Sequence, residues 1–177
     1  QEADILIGTQ MIVKGHDFPK VTLVGILAAD LSMYASDYRA SERTFQLLTQ
    51  AAGRAGRGSE AGEVVIQTYN PEHYSIQTAK TQDYGAFYQA EISVRKIMAY
   101  PPISNLMLVM FTAKQQKQAD WAASYRAAIK KKAQIAELKM IGPANALIGK
   151  MNDIYRKVIY IKHSEYHQLV RLKDRLE

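Results

Sequence analysis

Asp4 to Thr9 (DILIGT) is a short apolar run closed by Gly8 and Thr9, and Val21 to Ala28 (VTLVGILA) is a second, rich in β-branched residues. Both have the length and composition of buried parallel strands. Residues 41–55 set Phe45, Leu48 and Ala52 at helical spacing behind Ser41, a candidate N-cap, so a helix is expected there. Glu63 to Tyr69 (EVVIQTY) follows Gly62 as a third strand. Strand, crossover, strand, helix and strand is the order of an α/β domain with a parallel sheet, whose ligands gather on loops beyond the carboxyl ends of the strands. The loops after Ile7 and Ala28 are therefore where chemistry is expected.

Glu72 to Tyr100 carries a helical pattern, with Tyr84, Phe87, Tyr88, Ile92 and Met98 supplying apolar faces, and stops at Pro101-Pro102, which cannot continue a helix. Beyond it, Asn105 to Ala113 reads as a strand. Gln115 to Leu138 reads as an amphipathic helix with Trp121, Tyr125, Ile129 and Ala136 inward. Ile154 to Lys162 reads as another strand, and a last helix starts near Ser164. The pattern divides the chain into residues 1–71, an α/β part; 72–103, a helical connector; and 104–177, a small α+β module of two or three strands and two helices. There is no internal repeat.

The chain has 177 residues, 47% of them hydrophobic, enough for one ordinary domain or two small ones. No apolar run approaches the roughly 20 residues that span a bilayer, and no membrane partner is expected; the cytoplasm is the default location. Cys is absent, which excludes disulfides and thiolate metal sites within the chain. The chain opens at Gln1 and enters a strand pattern by Ile5, so it is expected to be a segment of a longer protein. Its charge of +6 is uneven: residues 1–103 carry 9 Lys or Arg against 11 Asp or Glu, whereas residues 104–177 carry 14 against 6. The carboxy-terminal part thus stands at +8 and the rest at −2. Such an excess suits a phosphate-binding surface and also an ordinary solvated one.

The sharpest chemical signal is Gln50-Ala51-Ala52-Gly53-Arg54-Ala55-Gly56-Arg57. Steps of four and three residues put Gln50, Arg54 and Arg57 along one side of a helix and its frayed end. Gly53, Gly56 and the alanines remove bulk beside them, so another surface can approach. This is a planar, permanently charged device offered to an oxyanion from outside, and a phosphoryl group in transfer is its natural client. The bland alternative is two exposed arginines that favour a helix carboxyl end. The whole string resembles motif VI of superfamily 2 helicases. Upstream, Gly8-Thr9-Gln10-Met11-Ile12-Val13-Lys14-Gly15-His16-Asp17-Phe18-Pro19 resembles motif V of the same superfamily. By that resemblance Thr9 contacts DNA, Gly15 and Asp17 sit near ATP together with Gly53, and Gln50, Arg54 and Arg57 act on the nucleotide.

The wording GTQMIVKGHDFPKVTLVG, then DYRASERTFQLLTQAAGRAGR, GEVVIQTYNPEH and YPP is similar to the primosomal protein N' family of replication-restart helicases, and the similarity covers nearly the whole chain. Ile141-Gly142-Pro143-Ala144 and Lys150 to Arg156 are similar to that family's carboxy-terminal domain. Asn145, Lys157 and Ile103 stand where the family has a proline, an aromatic and Phe. The resemblance implies the end of a second RecA-like lobe, then a DNA-binding domain with a fold like ribosomal protein S10. It implies an ATP-dependent helicase moving 3' to 5' on forked and single-stranded DNA, with ATP and Mg²⁺ completed by another lobe. Zinc belongs to an upstream module, and no metal site is expected in this chain. Single-stranded DNA-binding protein and primosome loader proteins are the implied partners, in a bacterial cytoplasm at the nucleoid.

No G-x-x-x-x-G-K-[ST] loop and no acidic Mg²⁺ box are present, so the chain alone is not expected to hydrolyse ATP. A competing reading is a non-catalytic DNA- or protein-binding module of another superfamily 2 translocase. Lys150, Tyr155, Arg156 and Lys157 flank a loop and a strand and are the better DNA candidates, with Tyr155 either a stacking surface or core. Lys130-Lys131-Lys132 point three ways on a helix and read as solvated. His16, His73, His163 and His167 form no metal set.

Overall fold

The computed structural model describes residues 4–9, 20–34, 37–56, 61–128 and 135–176. They form two compact units, residues 1–93 and 94–177, and the fold is mixed α/β.

In unit 1, strand β1 (Leu23–Ile26) pairs in parallel with β2 (Glu63–Ile66), Leu23 opposite Glu63 and Ile26 opposite Ile66. Helix α1 (Ala40–Ala52) lies between them in the chain. It begins one residue before Ser41, and Asp37 organises its start: the Asp37 carboxylate accepts from the Arg39 N–H at 3.0 Å and pairs with the Arg43 guanidinium at 2.9 Å. Phe45, Leu48 and Ala51 bury one face. Phe45 and Leu48 join Ala29, Ile76, Ala79 and Phe87 in a core flanked by Ile26 and Ile66, where the Phe45 and Phe87 rings stack at 4.3 Å.

The long helical pattern after Pro71 is two helices, α2 (Tyr74–Lys80) and α3 (Tyr84–Met98). The break is chemical. Asp83 Oδ1 accepts from the Ala86 N–H at 2.9 Å, capping a new helix, and Gln82 has a φ of 52°. At the other end of α2, His73 Nδ1 accepts from the Ser75 N–H at 3.2 Å. Burial holds the His73 imidazole below its ordinary pKa, so neutral His can act as that acceptor. Tyr84 and Tyr88, expected to fill apolar faces, are exposed.

Residues 4–9 differ from the expected strand. They are irregular and exposed, with Ile5 at 80% and Ile7 at 88%, and no described strand pairs with them. A buried parallel strand needs neighbours on both edges and cover on both faces. The described part of unit 1 supplies neither to this segment.

Unit 2 runs β3 (Asn105–Ala113), α4 (Gln116–Ala127), β4 (Lys139–Met151), β5 (Ile154–His163) and α5 (Tyr166–Leu176). The strands form an antiparallel sheet of order β3-β5-β4. Alternation puts Ile159 and Ile161 of β5 on the side that meets Leu169 and Leu172 of α5, with Met107, Val109, Phe111 and Ala127 around them. Lys162 points the other way and is 5% exposed. Its ammonium donates to the Met98 carbonyl at 2.9 Å and sits 3.5 Å from the Tyr100 ring centroid.

Two expectations for α4 are corrected. The helix stops at Ala127, so Ala136 is not part of it, and Ile129 lies outside the described residues. Trp121 and Tyr125 face solvent; the inward side belongs to Ala119 and Ala123. Small residues there let the helix lie close on the sheet and leave no room for rings.

Candidate functional site

Alanine and glycine let the end of α1 turn tightly. Past Ala52 the chain leaves the helix through residues 53–56. Gly53 N–H donates to Thr49 O at 3.0 Å, Arg54 N–H to Ala51 O at 3.0 Å and Ala55 N–H to Ala52 O at 3.2 Å. Gly56, with a φ of 70°, then sends its N–H to Val21 O at 3.0 Å. This left-handed position suits glycine. The bond ties the arginine string to the approach of β1. Gly62, leading into β2, is pressed against the same turn: a Cβ there would lie 2.7 Å from the Ala55 Cβ and closer still to Gly56 N and Ala55 C.

On this turn Gln50 is exposed and Arg54 half-buried, with Gly53 between them at the helix end. The structure thus gathers Gln50, Gly53 and Arg54. Thr9 is exposed. Arg57, Gly15 and Asp17 lie outside the described residues, as do Lys14, His16 and Lys130-Lys131-Lys132.

At the carboxyl end of β1 the loop is held by a carboxylate. Ala28 has a φ of 49°, costly for a residue with a Cβ, and its N–H donates to Gln67 Oε1 at 3.3 Å. Asp30, 2% exposed, accepts from the Thr68 hydroxyl at 2.6 Å and from the Tyr69 N–H at 2.7 Å. The Thr68 bond first, then the Tyr69 amide, hold its carboxyl below the ordinary 3.8. Sequence reading pointed to this loop without naming Asp30, and an Asp just after a strand is a readable signal for such a clamp.

In unit 2 the four residues expected to meet DNA do not share a face. Tyr155 and Lys157 project to the helix side of the sheet and Arg156 to the opposite side. Lys157 Nζ pairs with Asp120 Oδ1 of α4 at 2.6 Å. Lys150, opposite Tyr155 across the hairpin, holds its ammonium 5.1 Å from that ring and 2.9 Å from Asp153 Oδ1. The Asp153 bond raises the Lys150 pKa, and Lys150 lowers that of Asp153. Arg156 Nε is buried without a hydrogen-bond partner.

Sequence reading also missed an exposed aromatic pair. Trp121 is 67% and Tyr125 59% exposed, and their rings stack at 5.2 Å with 13° between planes. The signal lay in Ala119, Ala123 and Ala127, a four-residue period that claims the buried side and turns positions 121 and 125 outward. Among the described residues no three His, Asp or Glu side chains could hold a metal ion, and no helix is long and apolar enough to cross a membrane.

Residues 96–177 match the family described as Primosomal protein N C-terminal domain. Over 175 residues, 99% of its length, the chain is 46% identical to the replication restart protein PriA of Bacillus subtilis (strain 168). It is 38% identical over 176 residues to the protein of that name from Synechocystis, and 49% identical over 125 residues, 71% of its length, to that of Chlamydia pneumoniae. The chain spans 22%, 21% and 17% of these relatives.

Proposed function

The chain belongs to the PriA family of replication restart proteins, and from that premise we propose that it is the nucleotide-sensing end of an ATP-dependent DNA helicase joined to a DNA-binding domain. Residues 1–71 close the second of two RecA-like lobes, and residues 104–177 have a fold like ribosomal protein S10. The intact protein moves 3' to 5' along DNA and acts at stalled or branched forks to restart replication. It works in the bacterial cytoplasm with single-stranded DNA-binding protein and primosome loaders.

The observation that carries this reading is the end of α1, where a half-buried arginine stands on a turn stripped of bulk and anchored to the parallel sheet through Gly56 and Val21. A backbone held this way fixes where the Arg54 side chain starts from, and a guanidinium is the group best suited to an oxyanion. ATP, when bound with Mg²⁺ on the other lobe, supplies the phosphoryl transfer. Arg54 and Arg57 hold the charge that develops there, Gln50 orients the approach, and Gly15, Asp17 and Gly53 allow close contact. Thr9 grips a phosphate of the tracked strand.

Lys150, Tyr155, Arg156 and Lys157 are proposed as DNA contacts of unit 2. Lys150, at the hairpin end, is the more exposed of the two lysines, 47% against 16% for Lys157, and each is paired with an aspartate, Asp153 and Asp120.

The test is DNA-stimulated ATP hydrolysis by the intact protein, wild type against Arg54→Ala and Arg57→Ala, with DNA binding measured alongside. Arginine fingers contribute roughly 10³ to 10⁵ in rate. A fall of at least two orders of magnitude with binding retained is expected. Near-normal turnover in both variants refutes the motor role of the string.

A further inference from the structure

We infer that the outer face of α4 is a stacking platform for single-stranded DNA, built on Trp121 and Tyr125. This deepens the DNA-binding reading of unit 2 and rests on it.

The helix is built against the usual pattern. Ala119 and Ala123 are fully buried against the sheet, and the two largest side chains of α4 stand in water on the opposite side. Aromatic rings bury 150 to 250 Å² each in ordinary cores. A helix that places alanine inside and rings outside forgoes that gain, and its rings are available to something else.

The geometry favours bases over other partners. The two rings are nearly parallel, 13° apart at 5.2 Å, so the pair already forms two steps of a stack whose outer faces remain open. Every base has a flat face that continues such a stack without regard to sequence. The surroundings suit a phosphate chain. Lys117, one turn before Trp121 on the same side, is exposed, and Lys114 is exposed just ahead of the helix. Asp120, the acidic residue beside the pair, is neutralised by Lys157 at 2.6 Å. Residues 104–177 as a whole carry 14 Lys or Arg against 6 Asp or Glu. An apolar protein segment would find the rings but gain nothing from this cationic rim.

The chain contains a single Trp, so intrinsic fluorescence reports on the platform directly. The 177-residue chain is titrated with an oligothymidylate of about 16 nucleotides at low salt, reading Trp121 emission together with the anisotropy of a label on the oligonucleotide. Emission should be quenched in step with binding. Trp121→Ala and Tyr125→Ala should each weaken binding roughly 5- to 150-fold, the range expected for one lost stacking contact, while Trp121→Phe keeps most of the affinity. Both side chains are exposed, so the variants should melt with wild type.

Binding with unchanged emission, and with wild-type affinity in both alanine variants, overturns the platform, leaves the face to a protein partner and spares the DNA reading of unit 2. No binding at low salt overturns both.

Discussion

Replacing Gly62 with Ala is expected to damage unit 1 through contact alone. Gly62 has no left-handed φ, so the new methyl meets no conformational penalty. It meets instead the turn that carries Arg54. The added Cβ would stand 2.7 Å from Ala55 Cβ and nearer still to the backbone at Gly56 N and Ala55 C, where ordinary contact begins near 3.4 Å. A flexible side-chain tip could swing aside, but two of these three neighbours are backbone atoms, and Gly56 is fixed by its bond to Val21 O. Relief requires moving β2 or breaking that bond. Forcing a methyl into such a space costs about 1 to 3 kcal/mol, which lowers the melting temperature of a unit this size by roughly 5 to 20 °C.

Gly25 on β1 is the control, since a Cβ there meets nothing within 4 Å. Gly25→Ala should match wild type or gain about 0.4 to 1 kcal/mol by restricting the unfolded chain. Thermal melts followed by circular dichroism compare the three proteins. Gly62→Ala melting within a degree of Gly25→Ala would refute the steric argument and with it the close packing of the arginine turn on β2.

Asp30 gives unit 1 an acid sensitivity. Its folded pKa lies below 3.8, so its contribution is fully present above 3.8 and is lost as pH falls through the lower folded value. Melting temperature measured from about pH 6 to about pH 3 should fall less steeply in Asp30→Asn than in wild type; equal slopes would remove Asp30 from the account. In unit 2, a double-mutant cycle on Asp120→Ala and Lys157→Ala should return a coupling of about 1 kcal/mol, since Lys157 is only 16% exposed but Asp120 is 45%. A coupling near zero would make their contact incidental and free Lys157 for other partners.

Elements whose own residues fix their conformation were legible. Val21 to Ala28, Asn105 to Ala113 and Ile154 to Lys162 are dense in β-branched or large apolar residues, and an observed strand lies within the first, matches the second and extends the third by one residue. β4 carried no such mark. Gly142 and Pro143 interrupt it, the register shifts twice, and most of its residues are exposed, so no period of two survives in the sequence. Gly142, with a φ of 110°, must lack a side chain because a Cβ would come within 2.8 Å of Val158 O, a requirement visible only once β5 lies beside it.

The break between α2 and α3 was hidden for the opposite reason: apolar positions resume at Tyr84 and Phe87 after only four polar residues, and Asp83 marks the new start. Of the candidate sites, the Gln50 to Arg57 string stood out in the sequence, but α1 ends at Ala52, so Arg54 lies on the turn beyond the helix rather than on its face, and Arg57 lies outside the described residues. The pairing of Lys157 with Asp120 was not readable, because the partners are 37 positions apart and meet only when α4 packs on the sheet. Trp121 and Tyr125 were misread by assigning rings to the core before asking which face the alanines had taken.

Lys162 has a consequence for chemical labelling. Burial, and then the neighbouring Lys139, hold its pKa below the ordinary 10.5. A lysine of low pKa would ordinarily be the readiest to acylate, since more of it is the free amine. Here the amine is enclosed by the Tyr100 ring and tied to the last carbonyl of α3, so no reagent reaches it while unit 2 is folded. Once the sheet opens, the residue joins the exposed lysines at their common rate. The pace at which Lys162 alone takes up a label is therefore a clock for the opening of unit 2, and a chain with no cysteine carries that clock without any engineered probe.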